Sequence, residues 1–197
     1  MLPEFSFAII LSYLIGSIST AILVCKALNL PDPRTQGSNN PGATNVLRIG
    51  GKKAAAITLV GDGLKGALPV AIALYVGFDL TDATWVALAA FLGHVYPIFF
   101  GFKGGKGVAT FLGGLFALGL TIGASFALIW VFVAKVLKIS SLSALIATLL
   151  TPVFFFYLSN NNLHATYIIT IICLWIFYTH RSNIKRILSG REDSIKS

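Results

Sequence analysis

Apolar runs separated by short polar segments make up most of the chain. A membrane-spanning helix needs about 20 mostly apolar residues. By that measure the pattern predicts seven spans, at 5–26, 54–77, 84–100, 108–122, 123–138, 141–158 and 164–180. The fourth and fifth together fill only about 31 residues, so we expect them to be short or strongly tilted. The pattern therefore predicts an all-α integral membrane protein with seven transmembrane helices, in which residues 1–197 form a single domain.

Composition supports a membrane protein and excludes an ordinary soluble domain. Hydrophobic residues make up 56% of the chain and charged residues only 11%, whereas soluble domains average about 25% charged residues. Cys25 and Cys173 lie within apolar runs and lack the spacing of metal ligands. We interpret both as small membrane-helix residues, with no disulfide and no metal site.

The basic residues predict the orientation of the spans, because cytoplasmic loops carry an excess of lysine and arginine. With the N-terminus outside, one face carries 14 of the 15 basic residues, and Lys65 lies within a span. The opposite face carries Glu4, Asp79 and Asp82. We therefore expect the C-terminus on the cytoplasmic face, and we assign the net charge of +8 to anionic lipid headgroups and not to nucleic acid. The fourteen are Lys26, Arg34, Arg48, Lys52, Lys53, Lys103, Lys106, Lys135, Lys138, Arg181, Lys185, Arg186, Arg191 and Lys196.

The first inner loop is rich in groups that bind phosphate. Ser38, Thr44 and Asn45 carry hydroxyl and amide groups, and Arg48 adds a guanidinium that can bind a phosphate through two hydrogen bonds. The alternative is a polar connector with a turn at 40–42.

A glycine-lysine loop follows the third span, at residues 101–107. Gly104, Gly105 and Gly107 allow backbone conformations in which successive N–H groups converge on one anion, and Lys106 adds charge. The loop is not a nucleotide-binding P-loop, because glycine follows the lysine where serine or threonine is required. A flexible basic loop that only sets topology is the alternative.

Two further inner segments carry candidate chemistry. Ser140, Ser141 and Ser143 begin the sixth span, where serine can cap a helix or bind an anion. His180 and Asn183 are three residues apart and so share a helix face. Together they can orient a hydroxyl or a leaving phosphate, although a basic helix end at the membrane surface would look the same.

Three ionisable residues lie deeper in the predicted spans. Asp62 and Lys65 fall about 12–17 Å into the second span, and their spacing permits either an ion pair that closes the bundle or a role towards substrate. His94 lies late in the third span, where a helix-packing hydrogen bond competes with a catalytic role.

These segments together resemble the bacterial acyl-phosphate:glycerol-3-phosphate acyltransferases, the PlsY family. The similarity runs over nearly the whole chain, with the motifs in the family's order. One departure is Asn39, where the family usually has glycine, which adds bulk to the first loop. The matching runs are Gly-Ser-Asn-Asn-Pro-Gly-Ala-Thr-Asn-Val-Leu-Arg (37–48), Leu-Lys-Gly (64–66), Leu-Gly-His-Val-Tyr-Pro-Ile-Phe-Phe-Gly-Phe-Lys-Gly-Gly-Lys-Gly-Val-Ala-Thr (92–110), Ser-Ser-Leu (140–142) and His-Arg-x-Asn-Ile-x-Arg (180–186).

The resemblance implies a specific reaction at the cytoplasmic face of the bacterial inner membrane. A fatty acyl group moves from acyl phosphate to the 1-hydroxyl of sn-glycerol 3-phosphate, giving 1-acyl-glycerol 3-phosphate (lysophosphatidic acid) and inorganic phosphate. This is the first acylation of phospholipid synthesis. We expect no cofactor, no nucleic acid partner and a monomer embedded in lipid.

The same resemblance suggests how the work is divided among the candidate residues. Arg48, Lys106 and the loop glycines Gly104, Gly105 and Gly107 would hold glycerol phosphate. Ser38, Thr44, Asn45 and Ser141 would position the acyl phosphate or polarise its carbonyl. His180 and Asn183 would orient the attacking hydroxyl, and a substrate phosphate oxygen would accept its proton. Glu192 resembles the family's C-terminal glutamate, for which we expect a structural role.

Three alternative functions predict different sequences. A histidine-aspartate acyltransferase dyad is excluded, because the fifth residue after each histidine is Phe99, Ile169 or Lys185. A transporter for phosphorylated molecules would distribute polar groups through the span interiors, whereas here they crowd at one face. A metal-dependent phosphatidyltransferase needs several spaced aspartates, and the chain lacks that pattern.

Overall fold

The computed structural model describes residues 3–195, so the predicted inner-face Lys196 lies outside the described residues. Over that range the chain forms only helices and connecting turns: α1 (Pro3–Gly16), α2 (Thr20–Ala27), α3 (Ala43–Tyr75), α4 (Leu80–Val95), a 3-10 turn (Ile98–Phe100), α5 (Val108–Leu118), α6 (Leu120–Leu137), α7 (Ser140–Leu158), α8 (Leu163–Thr179) and α9 (Arg181–Leu188). The all-helical prediction is confirmed for the described part of the chain.

The number of spans is only partly confirmed. Among the described residues, five helical segments are long and apolar enough to cross a membrane: Pro3–Ala27, Ala43–Tyr75, Leu80–Phe100, Leu120–Leu137 and Ser140–Leu158. The first combines α1 with α2, and the third combines α4 with the 3-10 turn. A sixth is added if α8 and α9, which meet at a 58° bend, count as one. The predicted fourth span corresponds to α5, which has 11 residues. At about 1.5 Å per residue it reaches roughly 16 Å, about half the thickness of the hydrocarbon core. By its own length α5 does not span the membrane.

Helices α5 and α6 form a hairpin whose two ends lie at the same face. Gly107 precedes α5 and Ser140 follows α6, and both line a single cavity. The chain therefore enters α5 and leaves α6 beside the same cavity.

Helix α3 begins earlier than predicted. The sequence suggested a loop up to residue 53, but the helix starts at Ala43 and bends at Gly51, whose φ of 75° lies in the left-handed region. Only glycine adopts that conformation readily, so Gly51 lets one continuous element change direction. Thr44, Asn45 and Arg48 consequently lie on helical turns and not in a loop.

A close backbone contact holds α5 against α3. A Cβ atom at Gly66 of α3 would meet the carbonyl oxygen of Thr110, and one at Gly113 of α5 would meet the carbonyl oxygen of Gly63. Small residues at such crossings allow helices to pack at short distance without an intervening side chain. This contact fixes the beginning of α5, which directly follows Lys106, against the part of α3 around Gly63 and Gly66.

Candidate active site

A cavity of about 330 Å³ lies among α3, α5, α6, α7 and the junction of α8 with α9. Its wall has a polar part and an apolar part. The polar side chains are Ser38, Asn40, Thr44, Asn45, Arg48, Asp62, His94, Lys106, Ser140, Ser141, His180, Asn183, Arg186, Glu192 and Asp193. The apolar ones are Leu59, Val108, Leu112, Phe126, Ala127, Trp130, Val131 and Ala144. Such a cavity suits a ligand with a charged head and an apolar tail.

The cavity brings together the polar clusters that the sequence placed in separate loops. Ser38, Arg48, Lys106, Ser141, His180 and Asn183, the six predicted catalytic residues, all line it, as do Thr44, Asn45 and Gly107. They come from the loop before α3, the first turns of α3, the loop before α5, the start of α7 and the start of α9.

Glu192 organises the polar part of the cavity through a hydrogen-bond network. Lys106 Nζ donates to Asn183 Oδ1, and Asn183 Nδ2 donates to Glu192 Oε1. Ser141 Oγ donates to the same carboxylate oxygen at 2.7 Å, and Arg186 Nε donates to Oε2 at 2.6 Å. Lysine can only donate and a carboxylate can only accept, so the orientation of the Asn183 amide is determined by its two partners.

Burial and neighbouring charges perturb both ends of this network. Burial, helped by the positive charges of Arg186 and Arg48 and opposed by Glu192, lowers the pKa of Lys106 to about 8. Burial alone would raise the pKa of Glu192, but the hydrogen bonds from Ser141, Asn183 and Arg186 outweigh it and hold the pKa of that carboxyl below its ordinary value. The network therefore holds a carboxylate beside a lysine that loses its charge easily.

Arg48 is paired with an acidic residue that the sequence did not single out. Its Nη1 lies 3.1 Å from Oδ2 of Asp193, and the two side chains are 36% and 71% exposed. An exposed pair of this kind contributes only about 0–1 kcal/mol. A dianionic phosphate can therefore displace Asp193 from the guanidinium.

His180 lies at the bend between α8 and α9 and is buried. Its Nδ1 is 2.8 Å from the carbonyl oxygen of Ile176. A carbonyl only accepts, so Nδ1 carries the proton in the neutral ring and Nε2 is the acceptor. The imidazole is thus fixed in one tautomer at the cavity wall, where it can accept a hydrogen bond from a hydroxyl group.

Asn45 has a different task from the predicted substrate contact. Its Nδ2 donates to the carbonyl oxygens of Pro33 and Gln36, at 2.8 and 2.9 Å, and its Oδ1 accepts from the amide of Ser38 at 2.9 Å. The buried amide group is fully used in holding the loop before α3. Asn45 therefore positions Ser38, and direct substrate binding by its side chain is not supported by this geometry.

Asn39 keeps the loop conformation that glycine would allow. Its φ is 55°, in the left-handed region, which asparagine tolerates better than most residues. The departure from the family pattern at this position thus leaves the backbone path intact.

Thr44 connects two helices at the cavity. Its Oγ1 lies 3.2 Å from Ser140 Oγ and links the first turns of α3 and α7.

The glycine-lysine loop does not form the predicted cradle of converging amides. The N–H groups of Gly104 and Gly105 donate to the carbonyl oxygens of Val95 and His94, both at 3.2 Å. These two glycines instead pack against α4, where a side chain would collide with it. Gly107, at a φ of 87°, turns the chain into α5, whose first N–H groups have no partner within the helix and lie beside Lys106.

Several lining residues were missed from the sequence. Glu192 was expected to be structural, and Arg186 and Asp193 were given no role, yet all three line the cavity. The adjacent carboxylates Glu192 and Asp193, in a C-terminal segment that is otherwise basic, were the sequence feature that could have indicated a role at the site. The apolar wall, made largely by α5 and α6, had no signal beyond general hydrophobicity.

The chain is similar to proteins of one known family over nearly its whole length. The sequence model of a family described as glycerol-3-phosphate acyltransferase matches residues 6–190. A protein named glycerol-3-phosphate acyltransferase from Ruthia magnifica subsp. Calyptogena magnifica is 73% identical over 197 residues, covering 99% of this chain and 100% of the relative. One with the same name from Hydrogenovibrio crunogenus is 56% identical, covering 94% of this chain and 88% of the relative.

Solved structures resemble the whole described fold. A crystal structure of PlsY, an integral membrane glycerol 3-phosphate acyltransferase, in its glycerol 3-phosphate form has a TM-score of 0.92 at 38% identity, covering 98% of this chain and 96% of that one. Its lysophosphatidic acid form has a TM-score of 0.89, covering 97% and 95%.

Proposed function

The chain belongs to the glycerol-3-phosphate acyltransferase family, and from this premise we propose that acyl phosphate is its acyl donor. The reaction transfers the fatty acyl group to the 1-hydroxyl of sn-glycerol 3-phosphate. It yields 1-acyl-glycerol 3-phosphate and inorganic phosphate. The related PlsY structures in glycerol 3-phosphate and lysophosphatidic acid forms support the acceptor and the product.

The observation that carries the proposal is the division of one cavity into a cationic and an apolar part. Arg48, Lys106 and Arg186 offer three positive charges at the polar part, which suits two substrates that each carry a phosphate. The wall from α5 and α6 receives the acyl tail, whose burial contributes about 0.8 kcal/mol per methylene. The acyl carbonyl then lies where the two parts meet.

The polar residues are assigned roles by their contacts. Lys106, Arg48 and the first N–H groups of α5 hold the glycerol phosphate, as Gly107 lets the chain turn there. Ser38, Ser141 and Thr44 position the acyl phosphate or polarise its carbonyl. Asn183 orients Lys106 through its side-chain oxygen.

The chemical step is direct attack by the acceptor on an already activated mixed anhydride. The hydroxyl oxygen forms a bond to the acyl carbonyl carbon, and the bond from that carbon to the phosphate oxygen breaks. Inorganic phosphate leaves with the bonding electron pair, and a substrate phosphate oxygen takes the hydroxyl proton. Nε2 of His180 accepts the hydrogen bond of the hydroxyl beforehand and so aims it at the carbonyl.

The same proposal includes an orientation in the bacterial inner membrane. We place the N-terminus outside and the cavity on the cytoplasmic face, because the basic residues concentrate on that side. Both substrates are then supplied from the cytoplasm, and the product is released into the adjacent leaflet. A monomer suffices, since one chain provides every proposed residue.

The decisive experiment measures phosphate release by the purified protein in detergent. With acyl phosphate as donor, release is expected only when glycerol 3-phosphate is present, and it should be insensitive to a chelator. Donor specificity is tested by measuring formation of 1-acyl-glycerol 3-phosphate, because thioester donors release no phosphate, with acyl phosphate replaced by the acyl-CoA or acyl-carrier-protein thioester of the same chain length. Equal rates with either thioester would refute the donor assignment while leaving the family unchanged.

A further inference from the structure

Three ionisable side chains in the interior have no part in the chemistry proposed above. Asp62 and Lys65 lie on α3 and His94 lies on α4, and their residues are 2%, 5% and 6% exposed. Asp62 and His94 also line the cavity. Charged groups in a membrane interior are costly, so their presence at this position calls for a specific use.

Lys65 ties Asp62 to the break between the first two helices. Its Nζ lies 2.9 Å from Oδ1 of Asp62 and donates to the carbonyl oxygen of Ile18 at 2.7 Å. Ile18 belongs to the break between α1 and α2, where backbone groups lose their helical partners. The ammonium group thus compensates both the carboxylate and the open backbone, and it fixes the position of Asp62.

His94 connects this ion pair to the glycine-lysine loop. Its Nδ1 lies 3.7 Å from Oδ1 of Asp62, which is an electrostatic contact just beyond hydrogen-bond length. On the other side, the carbonyl oxygen of His94 accepts the amide of Gly105. A Cβ on Gly105 would collide with Nε2 of the His94 ring, so the ring and the loop backbone are in direct contact.

We propose that Asp62, Lys65 and His94 form a positioning cluster that sets the conformation of the glycine-lysine loop and thereby the place of the Lys106 ammonium group. The cluster anchors the His94 ring on one face, and Gly105 rests on the other. Lys106 is the next residue along the chain. This inference rests on the proposed role of Lys106 in holding glycerol 3-phosphate.

The competing explanation is an ion pair that only closes the helix bundle. Replacing a buried ion pair by apolar residues of similar volume is often neutral or stabilising. A purely structural pair would therefore tolerate Asp62→Leu combined with Lys65→Met without an effect specific to one substrate. A positioning cluster would instead lose affinity for glycerol 3-phosphate while acyl phosphate binding changes little.

The experiment compares four purified variants with the wild type in detergent: His94→Ala, His94→Gln, Asp62→Leu/Lys65→Met, and the control Thr148→Val. Thr148 is buried in α7, so its substitution reports on a buried hydroxyl that does not touch the cluster. For each protein we would measure glycerol 3-phosphate binding by calorimetry, KM for both substrates, kcat, and the unfolding temperature.

We expect His94→Ala to weaken glycerol 3-phosphate binding by about 10- to 100-fold, because a displacement near 1 Å of a positioned group has effects of that size. His94→Gln should recover part of the loss, since it refills the space beside Gly105. The double variant should raise the KM for glycerol 3-phosphate, with little change in the KM for acyl phosphate. Thr148→Val should retain wild-type kinetics.

Two results would overturn the inference. One is wild-type affinity for glycerol 3-phosphate in both His94→Ala and His94→Gln. The other is an equal loss for both substrates that follows the unfolding temperature, as a structural role requires. If the double variant does not fold, the His94 variants decide alone, because they leave the ion pair intact. Failure of the proposed function looks different, since the wild type itself would then release no phosphate from acyl phosphate.

Discussion

Lys106 should impose an alkaline limit on catalysis at low glycerol 3-phosphate concentration. Burial lowers the pKa of this lysine to about 8, so its charge is present below pH 8 and is lost as the pH rises through that value. The second ionisation of a phosphate monoester lies near pH 6, so the substrate remains a dianion throughout the window. The alkaline limb therefore reports on the enzyme.

The magnitude follows from the pKa. With a value near 8 the charged fraction of Lys106 falls from about nine tenths at pH 7 to about one tenth at pH 9, so kcat/KM for glycerol 3-phosphate should fall by about tenfold over that interval.

The assay is initial-rate phosphate release between pH 6.5 and pH 9.5, corrected for spontaneous hydrolysis of acyl phosphate. The Lys106→Arg variant should show lower activity but no alkaline limb, because arginine stays charged over the whole range. Lys103→Arg is the matched control, since Lys103 is exposed in the same loop. A flat wild-type profile up to pH 9.5, or an identical limb in Lys106→Arg, would refute the reasoning.

Four further substitutions test separate parts of the site. His180→Ala should lower kcat by at least about 100-fold with little change in KM, as expected for a group that orients a proton-bearing nucleophile; near-wild-type turnover would contradict that role. Asp193→Asn should lower the KM for a phosphate substrate by up to about fivefold, because it releases Arg48 from a weak ion pair; an unchanged KM in steady-state kinetics would show that the pair does not compete. Gly113→Ala should reduce the unfolding free energy by about 1–3 kcal/mol, since a methyl group there meets the α3 backbone, and thermal unfolding in detergent checks this. Asn45→Ala should increase proteolysis of the loop before α3 and lower kcat/KM, because three side-chain hydrogen bonds to that loop are lost; a loop as resistant as in the wild type would contradict it.

The membrane-embedded helices were predictable because hydrophobicity is a local property. A run of apolar residues long enough to cross a bilayer must form a helix there, since lipid cannot satisfy the backbone. The bounds of α7 and α8 accordingly lie within one residue of the predicted spans. The predicted fourth span is not confirmed, because α5 has only 11 residues and packs against α3 and α6.

The chemistry of individual side chains was predictable in part. Ser38, Arg48, Lys106, Ser141, His180 and Asn183 line one cavity as expected for a common site, and their residue types suit phosphate. Their detailed functions remain proposals. The hydrogen-bond partners of the Gly104 and Gly105 amides were not predictable, because a glycine-rich sequence does not reveal which carbonyl groups will accept those amides.

The sequence by itself determined the class of protein, the segments in which the polar groups concentrate, and the family, since each depends on residue identity and order along the chain. Only the tertiary structure decided that the Asn45 side chain binds the loop before α3, that Glu192 joins Ser141, Asn183 and Arg186, and that α5 is a helix of only 11 residues. The physical reason is that a buried polar group takes whichever partner the packed helices bring within about 3 Å. The hydrogen-bond partners in this cavity come from segments that are distant in sequence, and helix packing brings them together. No local sequence pattern predicts that packing.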